Sequence, residues 1–249
     1  MDAAPPPVPL GCALFIDFDG TLIELAERPD RVRVPPEVPT LLRALRARLD
    51  GAVAILTGRK LESLDRHLAP LKLPAAGIHG HELRIDGATV HRGPDSLGGV
   101  AAQLRERFDE RSGVLIEDKG AAVAIHYRGA AQRAVEAEHA LREAVRGMEV
   151  AVVPGKFVFE ARPRTVDKGL ALREFMQHAP FAGRRPVFAG DDVTDEDAIL
   201  QVQKLGGIAV KVGEGMSAAR YRLDSPRALY DWLADSLRVM NEAARLGED

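Results

Sequence analysis

Short apolar runs alternate along the chain with longer stretches whose apolar residues recur at helical spacing. Ala13–Ile16 and Ala52–Leu56 are continuous apolar runs, the pattern of strands buried on both faces, and Ala75–His79 reads as a third strand. Val38–Leu49, behind Pro35–Pro36, and Arg59–Leu68 carry leucines at helical spacing and predict helices. Strands separated by helices imply right-handed crossovers and a parallel sheet.

The rhythm changes after residue 92. Asp95–Arg111 reads as helix, Val114–Glu117 and Ala121–Tyr127 as two strands around an Asp-Lys-Gly turn, and Ala130–Arg146 as a second helix. Glu149–Val153 and Lys156–Glu160 form another strand pair around Pro154–Gly155. This repeated helix-hairpin unit predicts a small, open-faced antiparallel sheet with helices on one side. From Lys168 the first rhythm returns, with helix Gly169–Gln177, strand Pro186–Ala189, helix Asp191–Leu200, strand Gly207–Val210 and helix Arg227–Leu246. The organisation expected is an α/β core of residues 1–92 and 163–249, interrupted by an inserted α+β domain of residues 93–162. Two such lobes make a cleft.

Composition narrows the partners. With 34 Lys+Arg against 37 Asp+Glu, a net charge of −3 and both signs mixed, the 249-residue chain has no electrostatic footprint for nucleic acid and no polybasic membrane anchor. No apolar run reaches the roughly 18 residues of a membrane span. Met1–Pro9, MDAAPPPVP, lacks the features of a signal peptide and reads as a loose polyproline-like tail. The single cysteine, Cys12, cannot close an intramolecular disulfide, so a cytoplasmic location is expected. Nor is it a C-x5-R phosphatase nucleophile, because Phe18 stands where the arginine would be.

Candidate chemistry lies where predicted strands end. Asp17-Phe18-Asp19-Gly20-Thr21 follows the first strand, and Gly190-Asp191-Asp192-Val193-Thr194-Asp195 directly follows another. Ligands of open α/β sheets bind beyond the carboxyl ends of strands. Read singly, each acidic run also fits a capped helix start. Together, carboxylates from both could converge on a hard divalent cation, which takes oxygen ligands. Thr57-Gly58-Arg59 follows the second strand and Lys168-Gly169 opens a helix, offering hydroxyl, backbone N–H and ammonium donors to an anion.

These residues, in this order, resemble the four motifs of the haloacid dehalogenase superfamily of phosphohydrolases. Asp17–Thr21 fits the first, Thr57 the second, Lys168 the third and Gly190–Asp195 the fourth. The resemblance implies a Rossmann-like parallel-sheet core with an inserted cap that sets specificity. It further implies Asp17 as nucleophile forming an aspartyl-phosphate, Asp19 as general acid and base, and Mg2+ held by Asp17, the Asp19 backbone carbonyl and Asp191. Thr57, Gly58 and Lys168 would bind phosphate, with Asp192 or Asp195 in support.

Glu117–Gly120, His126-Tyr127-Arg128, Gly155–Pro163, Asp167–Gly169, Gly190–Asp197 and Gly77-Ile78-His79-Gly80-His81-Glu82 resemble the trehalose-6-phosphate phosphatase family. On that resemblance Glu117, Lys119 and Glu160 would hydrogen-bond the sugar hydroxyls, and the reaction would be the last step of trehalose biosynthesis. Arg59 either joins substrate binding or caps a local carboxylate. His79 and His81 as a metal pair is the weaker reading, since histidine suits a hard ion poorly. A stand-alone monomeric enzyme acting on a small phosphosugar is expected. The rivals are a phosphatase for another sugar phosphate such as sucrose 6-phosphate, a phosphomutase or phosphotransferase, and a non-catalytic sugar-phosphate sensor.

Overall fold

A computed structural model describes residues 4–26, 28–92, 97–109 and 111–246. The chain opens with β1 (Ala13–Ile16), α1 (Glu37–Arg48), β2 (Val53–Leu56), α2 (Leu61–Leu68), β3 (Ala75–Gly77), β4 (Glu82–Arg84) and β5 (Thr89–His91). It continues through α3 (Gly98–Arg107), β6 (Leu115–Asp118), β7 (Val123–His126), α4 (Ala134–Ala144), β8 (Val150–Gly155) and β9 (Val158–Pro163). It closes with α5 (Lys168–Phe175), β10 (Pro186–Gly190), α6 (Glu196–Lys204), β11 (Ile208–Val212), β12 (Tyr221–Leu223) and α7 (Pro226–Leu246).

Eight strands form one sheet, in the order β12-β11-β10-β1-β2-β3-β4-β5, and four form another, β6-β7-β9-β8. Alternation along β1 builds two cores. Leu14 and Ile16 pack with Leu42 and Leu45 of α1, Leu64 of α2 and Leu233 of α7. Ala13 and Phe15 face the opposite way, toward Phe175, Phe181 and Ile199. Burying one such leucine is worth about 1.5–3 kcal/mol.

The chain leaves β1 toward β2 on one side and returns through β10 on the other, so the strand order reverses between β1 and β10. Ile16 pairs with Ala189 there, which sets Asp17 and Asp191 side by side at the crevice.

The second sheet is antiparallel throughout. Its Val123, Ile125, Phe159 and Ala161 pack with Leu104 of α3 and Leu141 of α4. The register sets Glu117 beside Ala124 and Ala124 beside Glu160, so these three form a row on the alternate face.

Four expectations change. The large sheet is not wholly parallel: β4 and β5 join antiparallel to β3. They are three-residue strands, too short to show a period. The run Ala75–His79 stops pairing at Gly77, because Ile78 and His79 adopt φ of 46° and 55° and the chain turns. Helix Ala130–Arg146 begins as a 3-10 turn over Arg128–Arg133 and becomes α-helical only at Ala134. The proline-rich start is docked from Pro5 to Val8, where Val8 N donates to Ser236 Oγ (2.9 Å) and Trp232 Nε1 donates to Pro6 O (3.0 Å). Tertiary contact with α7, invisible to local composition, holds it. The expected start of the insertion at residue 93, the helix start at Asp95 and residues 1–3 of the tail lie outside the described residues.

Candidate active site

Asp17 is the first residue beyond β1 and is 4% exposed. Its Oδ1 accepts from Lys168 Nζ at 2.6 Å, and the same ammonium donates to Asp195 Oδ1 at 2.6 Å. Lys168 starts α5, whose N-terminus is capped by Asp167 accepting from Leu170 N. Asp195 accepts from the backbone N–H groups of Asp191 and Asp192, both at 2.9 Å, and so shapes the loop after β10. Thr21 Oγ1 donates to Asp191 Oδ1 at 3.2 Å, and Lys211 Nζ donates to the Asp191 carbonyl. Gly20 has φ of 84°, and a methyl there would collide with the Asp191 carboxylate.

Asp17, Asp191 and Asp195 are all buried and each offers a carboxylate oxygen within 4.8 Å of the others. Burial, and then the Asp195 and Asp191 carboxylates, push the Asp17 carboxyl well above its ordinary range against the opposing pull of Lys168. Asp191 is raised by burial and by Asp195. Burial alone would depress Lys168, but Asp17 and Asp195 lift its ammonium above the usual lysine range. Lys168 and Lys156 pair with these carboxylates, and Lys211 reaches the Asp191 carbonyl. An all-oxygen, charge-dense set of this kind fits a hard divalent cation.

Asp19 points elsewhere. Its carboxylate accepts a forked pair from Arg59, Nε at 2.6 Å and Nη2 at 2.7 Å. Arg59 lines the cleft, but its guanidinium is committed to Asp19 rather than standing free. Thr57 is buried, and its Oγ1 accepts from Arg59 N (3.1 Å), leaving the hydroxyl hydrogen to donate into the cleft. Gly58 lies against the His79 imidazole, where any side chain would clash.

The second sheet faces these groups. Lys119 Nζ donates to Glu160 Oε2 at 2.6 Å and lies 3.9 Å from Glu117, which is 2.9 Å from His126 Nε2. Burial would raise Glu160, but Lys119 and His79 hold it well below the usual carboxylate range. Glu117 is likewise lowered, against burial, by Lys119 and His126. All of these residues, with Asp17, Asp19, Thr57, Gly58, Lys168, Asp191 and Asp192, line one cleft that opens to solvent. Asp195 sits beneath it.

The histidines do not form a metal pair. His79 Nε2 is 3.1 Å from Glu160 Oε1, linking the large sheet to the small one, while His81 lies ring against ring with His91 at 6.0 Å.

A family model described as trehalose-phosphatase matches residues 15–227. The chain belongs to the trehalose-phosphatase family. It is 44% identical over 211 residues to a "probable trehalose-phosphate phosphatase" of Sinorhizobium fredii, a match covering 83% of this chain and 80% of the relative. It is 41% identical over 227 residues to the trehalose-6-phosphate phosphatase of Escherichia coli, covering 89% and 85% respectively. Among solved structures, a trehalose-6-phosphate phosphatase related protein superposes with a TM-score of 0.73 at 27% identity, over 94% of this chain and 97% of that one.

One residue of this trehalose-phosphatase family member carries more of the site than its sequence context suggests. Lys156, at the β8–β9 turn, places Nζ 2.6 Å from Asp191 Oδ2. Of the two acidic residues expected to support the metal, Asp195 joins the carboxylate cluster with Asp17 and Asp191, and Asp192 does not. A lysine beside Gly155 at a hairpin tip was the available signal for the Lys156 contact. Nothing local tells which strand end that tip meets. Among the described residues, no helix is long and apolar enough to cross a membrane.

Proposed function

We propose that the chain is a Mg2+-dependent phosphatase that hydrolyses trehalose 6-phosphate to trehalose and inorganic phosphate through an aspartyl-phosphate on Asp17. The observation that carries this reading is the facing of two residue sets across one cleft. A buried Asp17–Lys168 pair lies on one side and a Glu117, Lys119, Glu160 set on the other.

Lys168 and Thr57 bind the phosphoryl oxygens and orient phosphorus toward Asp17, whose carboxylate attacks in line. The bond from phosphorus to the sugar oxygen breaks, and that oxygen takes a proton from Asp19, whose carboxyl turns from Arg59 to reach it. Asp19 then accepts a proton from water, the water oxygen attacks phosphorus, and Asp17 leaves as a carboxylate. Asp17, Asp191 and the Asp19 carbonyl would hold the metal, with Asp195 in support. Bound there, Mg2+ supplies charge neutralisation between nucleophile and phosphate.

Residues 93–162 act in this reading as a cap. Its carboxylates accept from sugar hydroxyls and Lys119 donates to them. Seated over the cleft, the cap excludes bulk water while the covalent bond forms. A soluble monomer acting in the cytoplasm completes the proposal.

The test is to supply purified protein with trehalose 6-phosphate and Mg2+ and to measure both products. Equimolar trehalose and phosphate, abolished by a chelator and restored by Mg2+, is the expected result. A kcat/KM for trehalose 6-phosphate no better than for glucose 6-phosphate or sucrose 6-phosphate refutes the substrate assignment.

A further inference from the structure

Pairing of Gly155 with Val158 leaves Lys156 and Phe157 as the two-residue turn of the β8–β9 hairpin. Phe157 has φ of 61°, the left-handed region in which such turns favour glycine or asparagine. A bulky aromatic there is strained. Nor does burial offset the strain, because Phe157 is 46% exposed.

The ring is nonetheless held in place. Tyr127 N donates to Phe157 O at 3.0 Å, and the Tyr127 ring meets Phe157 edge-on at 6.1 Å while stacking on Phe159 at 5.1 Å. Arg128 sets its guanidinium 5.2 Å from the Phe157 centroid. Phe157 lines the cleft, and so do Leu25, Pro29 and Val32 from the loop after β1. Asp17 and Lys168, at 4% and 2% exposure, lie at the floor of that cleft, and exposed Phe157 lies at its mouth. A broken local preference at a half-exposed aromatic on a cleft wall is characteristic of a functional position.

We propose that Phe157 is a specificity-determining residue, a platform on which the sugar ring remote from the phosphoryl group stacks its C–H face. The Glu117, Lys119 and Glu160 row takes the hydroxyls of the same ligand. A pyranose is amphipathic in this sense, with axial C–H groups on a face and hydroxyls at its edge. The aromatic adds a requirement for a second ring that polar contacts to one ring do not impose. This inference rests on the reading of the site as a trehalose 6-phosphate phosphatase and assigns that substrate's second ring.

Phe157→Gly and Phe157→Asn relieve the backbone and remove the ring, whereas Phe157→Trp keeps an aromatic face. Steady-state kinetics on trehalose 6-phosphate and on glucose 6-phosphate are measured beside thermal melting of each variant. Phe157→Gly and Phe157→Asn are expected to raise KM for trehalose 6-phosphate roughly five- to tenfold, with kcat little changed. Their preference over glucose 6-phosphate narrows by the same factor, their melting temperature is equal to or above that of the parent, and Phe157→Trp retains the parent KM. A lowered melting temperature with unchanged KM makes Phe157 a structural residue and overturns the proposal. Equal KM increases for both substrates overturn it too. Absence of trehalose 6-phosphate hydrolysis by the unaltered enzyme overturns the functional reading and this role with it, whereas hydrolysis with an indifferent Phe157 overturns this role alone.

Discussion

The Lys156 ammonium lies 2.6 Å from Asp191 Oδ2, joining the tip of the small sheet's hairpin to the acidic loop after β10. Gly155 beside it packs so closely that a methyl group would strike the Asp192 carboxylate. The contact occupies a carboxylate oxygen that a divalent cation would also use. Lys156→Met therefore tightens Mg2+ binding, by roughly three- to tenfold, since the partly exposed ammonium is screened by solvent. Isothermal titration calorimetry in the absence of substrate measures it. Unchanged affinity would mean that the pair is not formed in solution.

Asp17→Asn separates chemistry from stability. Turnover falls at least about 10³-fold, because amide nitrogen and oxygen do not replace the carboxylate nucleophile. Burial and the neighbouring Asp195 and Asp191 disfavour charge on Asp17, so neutralising it relieves repulsion while Asp195 still pairs Lys168. The variant melts at the parent temperature or above. Phosphate release and calorimetric melting check the two halves, and a large fall in melting temperature contradicts the repulsion argument.

Glu160→Gln removes the anion 2.6 Å from the buried Lys119 ammonium, leaving only Glu117 at 3.9 Å to balance its charge. The loss is about 3 kcal/mol at neutral pH. Glu160 faces Lys119, Glu117 and His79, and its carboxyl is held low in the folded state. Its contribution is thus complete above the unfolded value of about 4.3 and is lost as pH falls below it. Urea denaturation of parent and variant should show a gap that narrows from pH 7 to pH 3. A gap independent of pH rules out the ionic origin.

Cys12 is a silent thiol. Burial pushes its pKa up to about 12, against a small opposing pull from Arg184. A chromogenic thiol reagent should leave the native protein unmodified at pH 8 and titrate one thiol after unfolding in guanidinium. Since the folded pKa is raised, the stabilising difference is complete below about pH 8.5, the unfolded value, and is lost as pH rises from there toward 12. Cys12→Ala should flatten the decline in stability between pH 8.5 and 10.

Much of the architecture was legible because its signals are local. Ala13–Ile16 is apolar throughout since β1 is buried on both faces. The leucines of α1 repeat at helical spacing because one face meets the sheet. The short strands β4 and β5 carry no such period, and β5, at the sheet edge, is exposed throughout. Docking of Val8 on Ser236 joins residues 228 positions apart, which no window of sequence contains.

Sequence alone determined the chemistry on offer: carboxylates after β1 and β10, a hydroxyl after β2 and a lysine at the start of α5. Residue type sets acidity and hydrogen-bonding capacity, and strand ends are recognisable by pattern. Only the tertiary structure decided which groups meet. Asp17 and Asp191 become neighbours because the strand order reverses between β1 and β10, and Lys168 bridges Asp17 to Asp195 because α5 packs beneath them. Arg59 is taken by Asp19, and Lys156 reaches Asp191 across the cleft. Electrostatic energy depends on distance in space, and distance in space is set by packing rather than by position along the chain.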